Sequence, residues 1–104
     1  MIDPHQSPLG LLGSGQLGQM LIQSAKNHGY QVHVFDPAFQ HSPCSLETSL
    51  HTEASFSDAE KVIAFSKQVS AVTYEFENIP LETAALVEKH SVLRPSSKVL
   101  ETAQ

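Results

Sequence analysis

Short apolar runs alternate along this chain with segments whose apolar residues recur at helical spacing, so the pattern switches repeatedly between strand and helix. Leu9-Gly10-Leu11-Leu12 has too little polarity for a strand facing water and runs directly into glycines, which reads as a buried strand. Residues 1–8 before it read as a flexible leader. From Gln16 to about residue 28, Leu17, Met20, Leu21, Ser24 and Ala25 recur at helical spacing, and Gly29 supplies a left-handed stop. Val32-His33-Val34-Phe35 follows, β-branched and aromatic, and closes at Asp36-Pro37, where proline cannot continue a ladder. It is the second strand.

Residues 38–46 carry Pro, Ser, His and Cys without periodicity, and residues 49–53 suit a brief edge strand. Ser57 and Glu60 stand three apart, as in a capping box, ahead of a helix with Val62, Ile63, Phe65 and Val69 on one side. Ala71-Val72-Thr73-Tyr74 is the next strand and is expected at the centre of the sheet. Pro80 fits the first turn of a helix carrying Leu81, Ala84, Ala85, Leu86 and Val87. Val92-Leu93 is a final short strand before Pro95, and residues 97–104 begin another helix. Strands alternating with helices of this length imply an α/β fold, an open parallel Rossmann-like sheet flanked by helices, because parallel neighbours need a crossover. Ligands of such sheets bind outside the carboxyl ends of the strands, which directs attention to residues 13–18, Asp36 and residues 75–80.

Composition narrows the function. A chain of 104 residues holds one domain, and 40% apolar against 16% charged residues is too hydrophobic for disorder. The formal charge is −5 and the six Lys and Arg are scattered, so no basic stripe is available to track nucleic acid. No apolar run approaches the roughly 18 residues that span a bilayer, and the first residues lack the features of a signal peptide. A cytoplasmic protein is expected. Cys44 is the only cysteine, which rules out an internal disulfide and suits a reducing compartment.

Gly13-Ser14-Gly15-Gln16-Leu17-Gly18 is a G-x-G-x-x-G turn with a strand before it and a helix after it. Glycine permits the tight turn, its missing side chain lets a ligand touch the backbone, and free amides at the helix start favour anions. Asp36 stands where a dinucleotide-binding domain places the acid that grips the ribose of NAD, although Pro37 follows it and nothing specific to a nicotinamide accompanies it. A capping or loop-anchoring role suits it equally. By the period of two, Glu75 and Glu77 point one way and Phe76 the other, aiming two carboxylates at the crevice of the glycine loop. Ionised carboxylates only accept hydrogen bonds, so they suit a ligand with hydroxyls or an amine, while capping or simple solvation is the bland alternative. The histidines are scattered apart from His41 and Cys44, so no metal site is expected, and no serine has the neighbours of a hydrolase triad.

Taken together, Gly13-Ser14-Gly15-Gln16-Leu17-Gly18-Gln19-Met20, Val34-Phe35-Asp36-Pro37 with Ser42-Pro43, and Val72-Thr73-Tyr74-Glu75-Phe76-Glu77-Asn78-Ile79-Pro80 resemble the 5-(carboxyamino)imidazole ribonucleotide synthase family of ATP-grasp ligases. The stretch from Tyr74 to Pro80 is the specific part. The resemblance runs from about Leu9 onward and implies that residues 1–104 form the pre-ATP-grasp domain, with the ATP-grasp and carboxyl-terminal domains lying beyond it. It implies an ATP- and bicarbonate-dependent ligase that carboxylates aminoimidazole ribonucleotide in purine biosynthesis, with ATP and Mg2+ held outside this chain. The chain would bind without catalysing, and the complete enzyme would be a homodimer. Gln16, Leu17 and Glu75 are assigned by the resemblance to the aminoimidazole ribonucleotide, with the backbone at Gly15 beside them. Gly13, Gly18, Asp36 and Glu77 are further candidates from the crevice itself. Ser14 stands where many relatives have another glycine, and Gln19 where an arginine is expected.

Three rivals remain. The formate-dependent glycinamide ribonucleotide transformylases share such a first domain but carry an acidic residue where this loop has Gln16. An NAD-binding regulatory module, of the kind that gates cation transport, has this size and this loop, and the stretch from Tyr74 to Pro80 argues against it. The third is a structural or assembly domain.

Overall fold

The computed structural model describes residues 7–74 and 79–94. The elements are β1 (Leu9–Leu12), α1 (Gln16–Asn27), β2 (Val32–Phe35), β3 (His51–Thr52), α2 (Ala59–Gln68), β4 (Val72–Tyr74) and α3 (Leu81–His90). Two 3₁₀ turns, Phe39–His41 and Pro43–Leu46, occupy the connection between β2 and β3 that has no periodicity. The helix expected from residue 97 and the first six residues of the leader lie outside the described residues. Pro8, the leader's last residue, is held in place, its carbonyl accepting from the amide of Ser70 at 2.9 Å.

The strands form one parallel sheet in the order β3-β2-β1-β4. Strand alternation divides the interior in two. Leu11 and Val34 face one side with Val32, Ile22 of α1, Phe39 and Cys44. Leu12 and Phe35 face the other with Val72 and Tyr74 of β4, Val62 and Phe65 of α2, and Ala84 and Val87 of α3. Each fully buried Val, Leu, Ile or Phe contributes about 1.5–3 kcal/mol of transfer free energy, so these two layers hold the fold. Gly10 lets α2 approach the sheet: a Cβ there would lie 2.8 Å from Phe65 Cζ and 3.0 Å from Val69 Cγ2.

Several sequence expectations change. Leu17, Met20 and Leu21 do not form the buried face of α1; they are exposed, and Gly18 and Ile22 are buried instead. Gly18 packs inward, and Ile22 and half-buried Ala25 share its face one and two turns on, so this narrow stripe is the face that α1 turns to the sheet. The cap of α2 is Asp58, whose Oδ1 accepts from the amide of Lys61 at 3.2 Å. Ser57 is drawn into the preceding turn, its hydroxyl 2.8 Å from that of Ser55. β4 comes last in the four-strand order, yet it is bonded on both sides: β1 lies on one, and on the other the amide of Val72 donates to Val92 O at 2.7 Å and that of Arg94 to Val72 O at 2.9 Å. Among the described residues Leu93 makes a single bridge to Val72, and the edge strand expected over residues 49–53 shrinks to the two residues of β3. Gly29 ends α1 as expected, at φ 84°, with its amide bonded to Lys26 and that of Tyr30 to Ala25.

Candidate functional site

β1 gives rise to a crossover toward β2 on one side, whereas the chain from β3 crosses over to β4 on the other. The boundary between β1 and β4 is therefore the place where the winding reverses, and open parallel sheets bind ligands outside the carboxyl ends of the strands at such a point. Leu12, the last residue of β1, is in register with Tyr74, the last of β4, and the glycine loop begins directly after Leu12.

The glycine loop is built for close approach. Gly13 has φ 106°, a conformation that side chains disfavour, and its amide donates to Phe35 O at 3.0 Å. Ser14 is buried, and Gly15 caps α1 in extended geometry without a side-chain hydrogen bond. The first turn of α1 contains no acidic residue, unlike those of α2 with Glu60 and α3 with Glu82. The positive end of the α1 dipole is thus left without a neighbouring carboxylate in its own first turn, which favours an anionic group. Gln16 and Leu17 are exposed on that turn and Gly18 is buried beneath it.

Asp36 follows β2 at the same end of the sheet. Its Oδ1 accepts from the amide of Ala38 at 2.7 Å and its own amide donates to Thr52 O at 3.1 Å, so it anchors the loop that begins there. Glu75 and Glu77 lie outside the described residues. Tyr74, immediately before them, is buried among the core residues; desolvation, and secondarily the charge of Glu88, push its phenol upward, so it stays protonated at neutral pH.

The residues that support the loop from behind have no signature in the local sequence. Buried Cys44 directs its thiol at Gly15 O, with 3.7 Å between sulfur and oxygen. Glu47 Oε2 accepts from Gln19 Nε2 at 3.3 Å and from Gln23 Nε2 at 3.2 Å, and Lys26 Nζ donates to Glu47 O at 3.0 Å. Gln19, on the first turn, is therefore engaged with the β2–β3 connection. These contacts join residues 21 to 29 positions apart, which no local pattern reveals.

Two clefts lie away from the glycine loop. One of about 320 Å³, lined by Phe56, Ala59, Pro80, Thr83 and Leu86 among others, lies between the starts of α2 and α3. Another of about 230 Å³ lies beside Lys26, Tyr30 and Glu47. Neither contains a glycine-loop residue. Among the described residues no three His, Cys, Asp or Glu side chains converge as metal ligands, and no helix is long and apolar enough to cross a membrane.

Comparison with known proteins agrees with this arrangement. A family profile for the ribonucleotide synthetase preATP-grasp domain matches residues 7–104. The N5-carboxyaminoimidazole ribonucleotide synthase of Bacillus subtilis is 35% identical over 96 residues, covering 92% of this chain and 25% of that protein. The crystal structure of N5-carboxyaminoimidazole synthetase from Staphylococcus aureus complexed with ADP superposes with a TM-score of 0.85 at 30% identity, over 94% of this chain and 26% of that one. The Aspergillus clavatus enzyme in complex with ADP and 5-aminoimidazole ribonucleotide gives a TM-score of 0.72 at 33% identity, over 92% and 26%. The chain spans about a quarter of the length of these relatives. Its α/β architecture, its glycine loop and the profile match agree, and the chain belongs to the preATP-grasp domain family of the ribonucleotide synthetases.

Proposed function

We propose that this chain is the amino-terminal part of an N5-carboxyaminoimidazole ribonucleotide synthase and that it contributes to the site for the acceptor, 5-aminoimidazole ribonucleotide. The observation that carries the reading is the start of α1, a glycine-capped helix end without acidic residues in its first turn, at the reversal point of a parallel sheet. The Aspergillus clavatus relative, crystallised with this ribonucleotide, supports the choice of ligand.

The ligand's chemistry matches what the chain offers. Backbone amides at the start of α1 suit an anionic group of the ribonucleotide, and Gln16 both donates and accepts hydrogen bonds. Glu75, directly after β4, accepts only, which suits ribose hydroxyls or the amine that is carboxylated. Leu17 adds an apolar contact. The role of these residues is to bind and orient the acceptor. The relatives extend well beyond the quarter of their length that this chain spans, and ATP, magnesium and bicarbonate are assigned to that remainder of the ligase. A cytoplasmic homodimer belongs to the same reading.

The test is steady-state kinetics on the complete ligase, varying each substrate separately, with a melting curve for every variant. Losing a charged hydrogen-bond partner costs about 1.5–3 kcal/mol, so Glu75→Gln should raise the KM for the ribonucleotide roughly ten- to a hundredfold. Gln16→Ala should raise it by about threefold to tenfold, the loss of a neutral bond. The KM for ATP should barely move. An unchanged ribonucleotide dependence in both variants, or a selective loss of ATP affinity, overturns the assignment.

A further inference from the structure

We propose that Glu47 is a positioning residue for the ribonucleotide: its carboxylate ties the first two turns of α1 to the β2–β3 connection and so fixes the direction of the amides that begin the helix. The inference rests on the acceptor-site reading above.

The geometry is that of a clamp along one flank of the helix. Gln19 and Gln23 stand one turn apart and both donate to the same oxygen, Glu47 Oε2, while Lys26, nearly one turn further, donates to the Glu47 carbonyl. At the amino end Cys44 meets Gly15 O, the same carbonyl that accepts the amide of Gln19 at 3.0 Å. Residues 44–47 therefore follow α1 from its cap to its last turn. The segment is itself rigid: Ser45 Oγ donates to Ser42 O and Ser42 Oγ to Phe39 O, both at 2.7 Å, and Thr48 Oγ1 donates to Val32 O of β2 at 2.9 Å.

The sheet alone holds α1 weakly in rotation. Its fully buried contacts are Gly18 and Ile22, one without a side chain and the other a single aliphatic group. Leu17 and Met20, which would resist rotation if packed, are 57% and 64% exposed. A helix seated on so narrow a stripe can roll, and rolling turns the free amides at its start away from a ligand. Glu47 opposes that motion because it grips two side chains on one flank. Of the two bonds, the one from Gln19 is partly buried and the one from Gln23 is exposed, so the grip is firmer toward the start of the helix.

Two variants separate positioning from simple stability. Glu47→Ala removes the shared acceptor, and Glu47→Gln keeps an acceptor oxygen of similar reach while removing the charge. In the complete ligase Glu47→Ala should raise the KM for 5-aminoimidazole ribonucleotide about threefold to tenfold with kcat and the KM for ATP unchanged, and Glu47→Gln should recover most of the loss. In the 104-residue chain, amide hydrogen exchange at Gln19 should quicken in Glu47→Ala and less in Glu47→Gln, with exchange in β1 and β2 unchanged. A lowered melting temperature without any change in the ribonucleotide KM would make Glu47 structural only and overturn the proposal. Unchanged exchange at Gln19 would do the same. If Gln16→Ala and Glu75→Gln also leave the ribonucleotide KM unchanged, the acceptor-site reading itself is at fault; if they raise it and Glu47→Ala does not, only the positioning role fails.

Discussion

Gly10 illustrates how a single atom decides packing. It lies in β1 between the side chains of α2 and β4, and a methyl group there would come within 2.8 Å of Phe65 Cζ and 3.1 Å of Val72 Cγ2. Phe65 cannot swing aside, because its ring stands edge-on to Phe35, with centroids 5.4 Å apart, and to His33 at 5.3 Å. Alanine in place of glycine gains about 0.4–1 kcal/mol by restricting the unfolded chain. Overpacking a close-packed core costs about 1–3 kcal/mol, so the clash wins. Gly10→Ala is expected to lower stability in urea denaturation, and the double variant Gly10→Ala with Phe65→Leu to lose less than the two single effects added together. An additive double variant would show that Phe65 is not what the new methyl meets.

At the scale of the element, the start of α2 distinguishes two neighbouring cap candidates. Ser57 and Glu60 have the spacing of a capping box, yet Asp58 closes the helix, accepting from Lys61, while the Asp58 amide donates to Ser55 O at 3.0 Å in the turn before it. That turn absorbs Ser57 into a pair with Ser55 and leaves the next residue to cap. Removing an N-cap side chain costs about 0.5–2 kcal/mol, so Asp58→Ala should destabilise by that amount. Ser57→Ala should stay within about 0.5 kcal/mol, the ordinary range for an exposed position. Urea midpoints of the two variants decide the matter, and the reverse ranking would restore the serine cap. α3 is fixed differently. Its buried Thr83 donates to Phe56 O at 2.7 Å and so joins the starts of α2 and α3 directly.

At the scale of the whole molecule, His33 on the β2–β3 edge gives the fold a sensitivity to acid. His33 is packed against Phe65, and its Nε2 lies 2.8 Å from Thr52 Oγ1 of β3. Burial pushes its imidazole below the ordinary value of 6.5, and the nearby His51, stacked on Phe39, pushes it the same way. Because the folded value is the lower one, the unfolded chain takes up the proton first as pH falls. The contribution of His33 to stability is whole above 6.5 and declines as pH drops below that value, levelling off once the folded form is also protonated. The melting temperature should therefore fall between about pH 7 and pH 5, and His33→Gln, which can still bond Thr52, should flatten that slope. A variant with the parent's slope would remove His33 from the cause.

The order of strands and helices was legible because hydrophobic period, glycine and proline act over a few residues, and that information is local. β1, β2 and the stop at Gly29 followed from it, as did the glycine loop, whose Gly13 needs φ 106° whatever surrounds it. Gln16 is a candidate through the family resemblance, and the fold places it exposed at the start of α1. The rotation of α1 was a nearer miss: Leu17, Met20 and Leu21 outweigh Gly18 in hydrophobicity, yet the third glycine of the motif is the residue that packs, and counting from it leads to Ile22 and Ala25. Only the tertiary structure decided what depends on distant partners. The two-residue β3 exists because β2 offers it an edge, β4 lies outside β1 because the chain crosses over there, and Cys44 and Glu47 acquire their place from a helix that precedes them by more than one element. Such contacts depend on side chains meeting across loops whose closure has no repeating signature, so the local sequence supplies the parts of the site and the fold supplies the support that aims them.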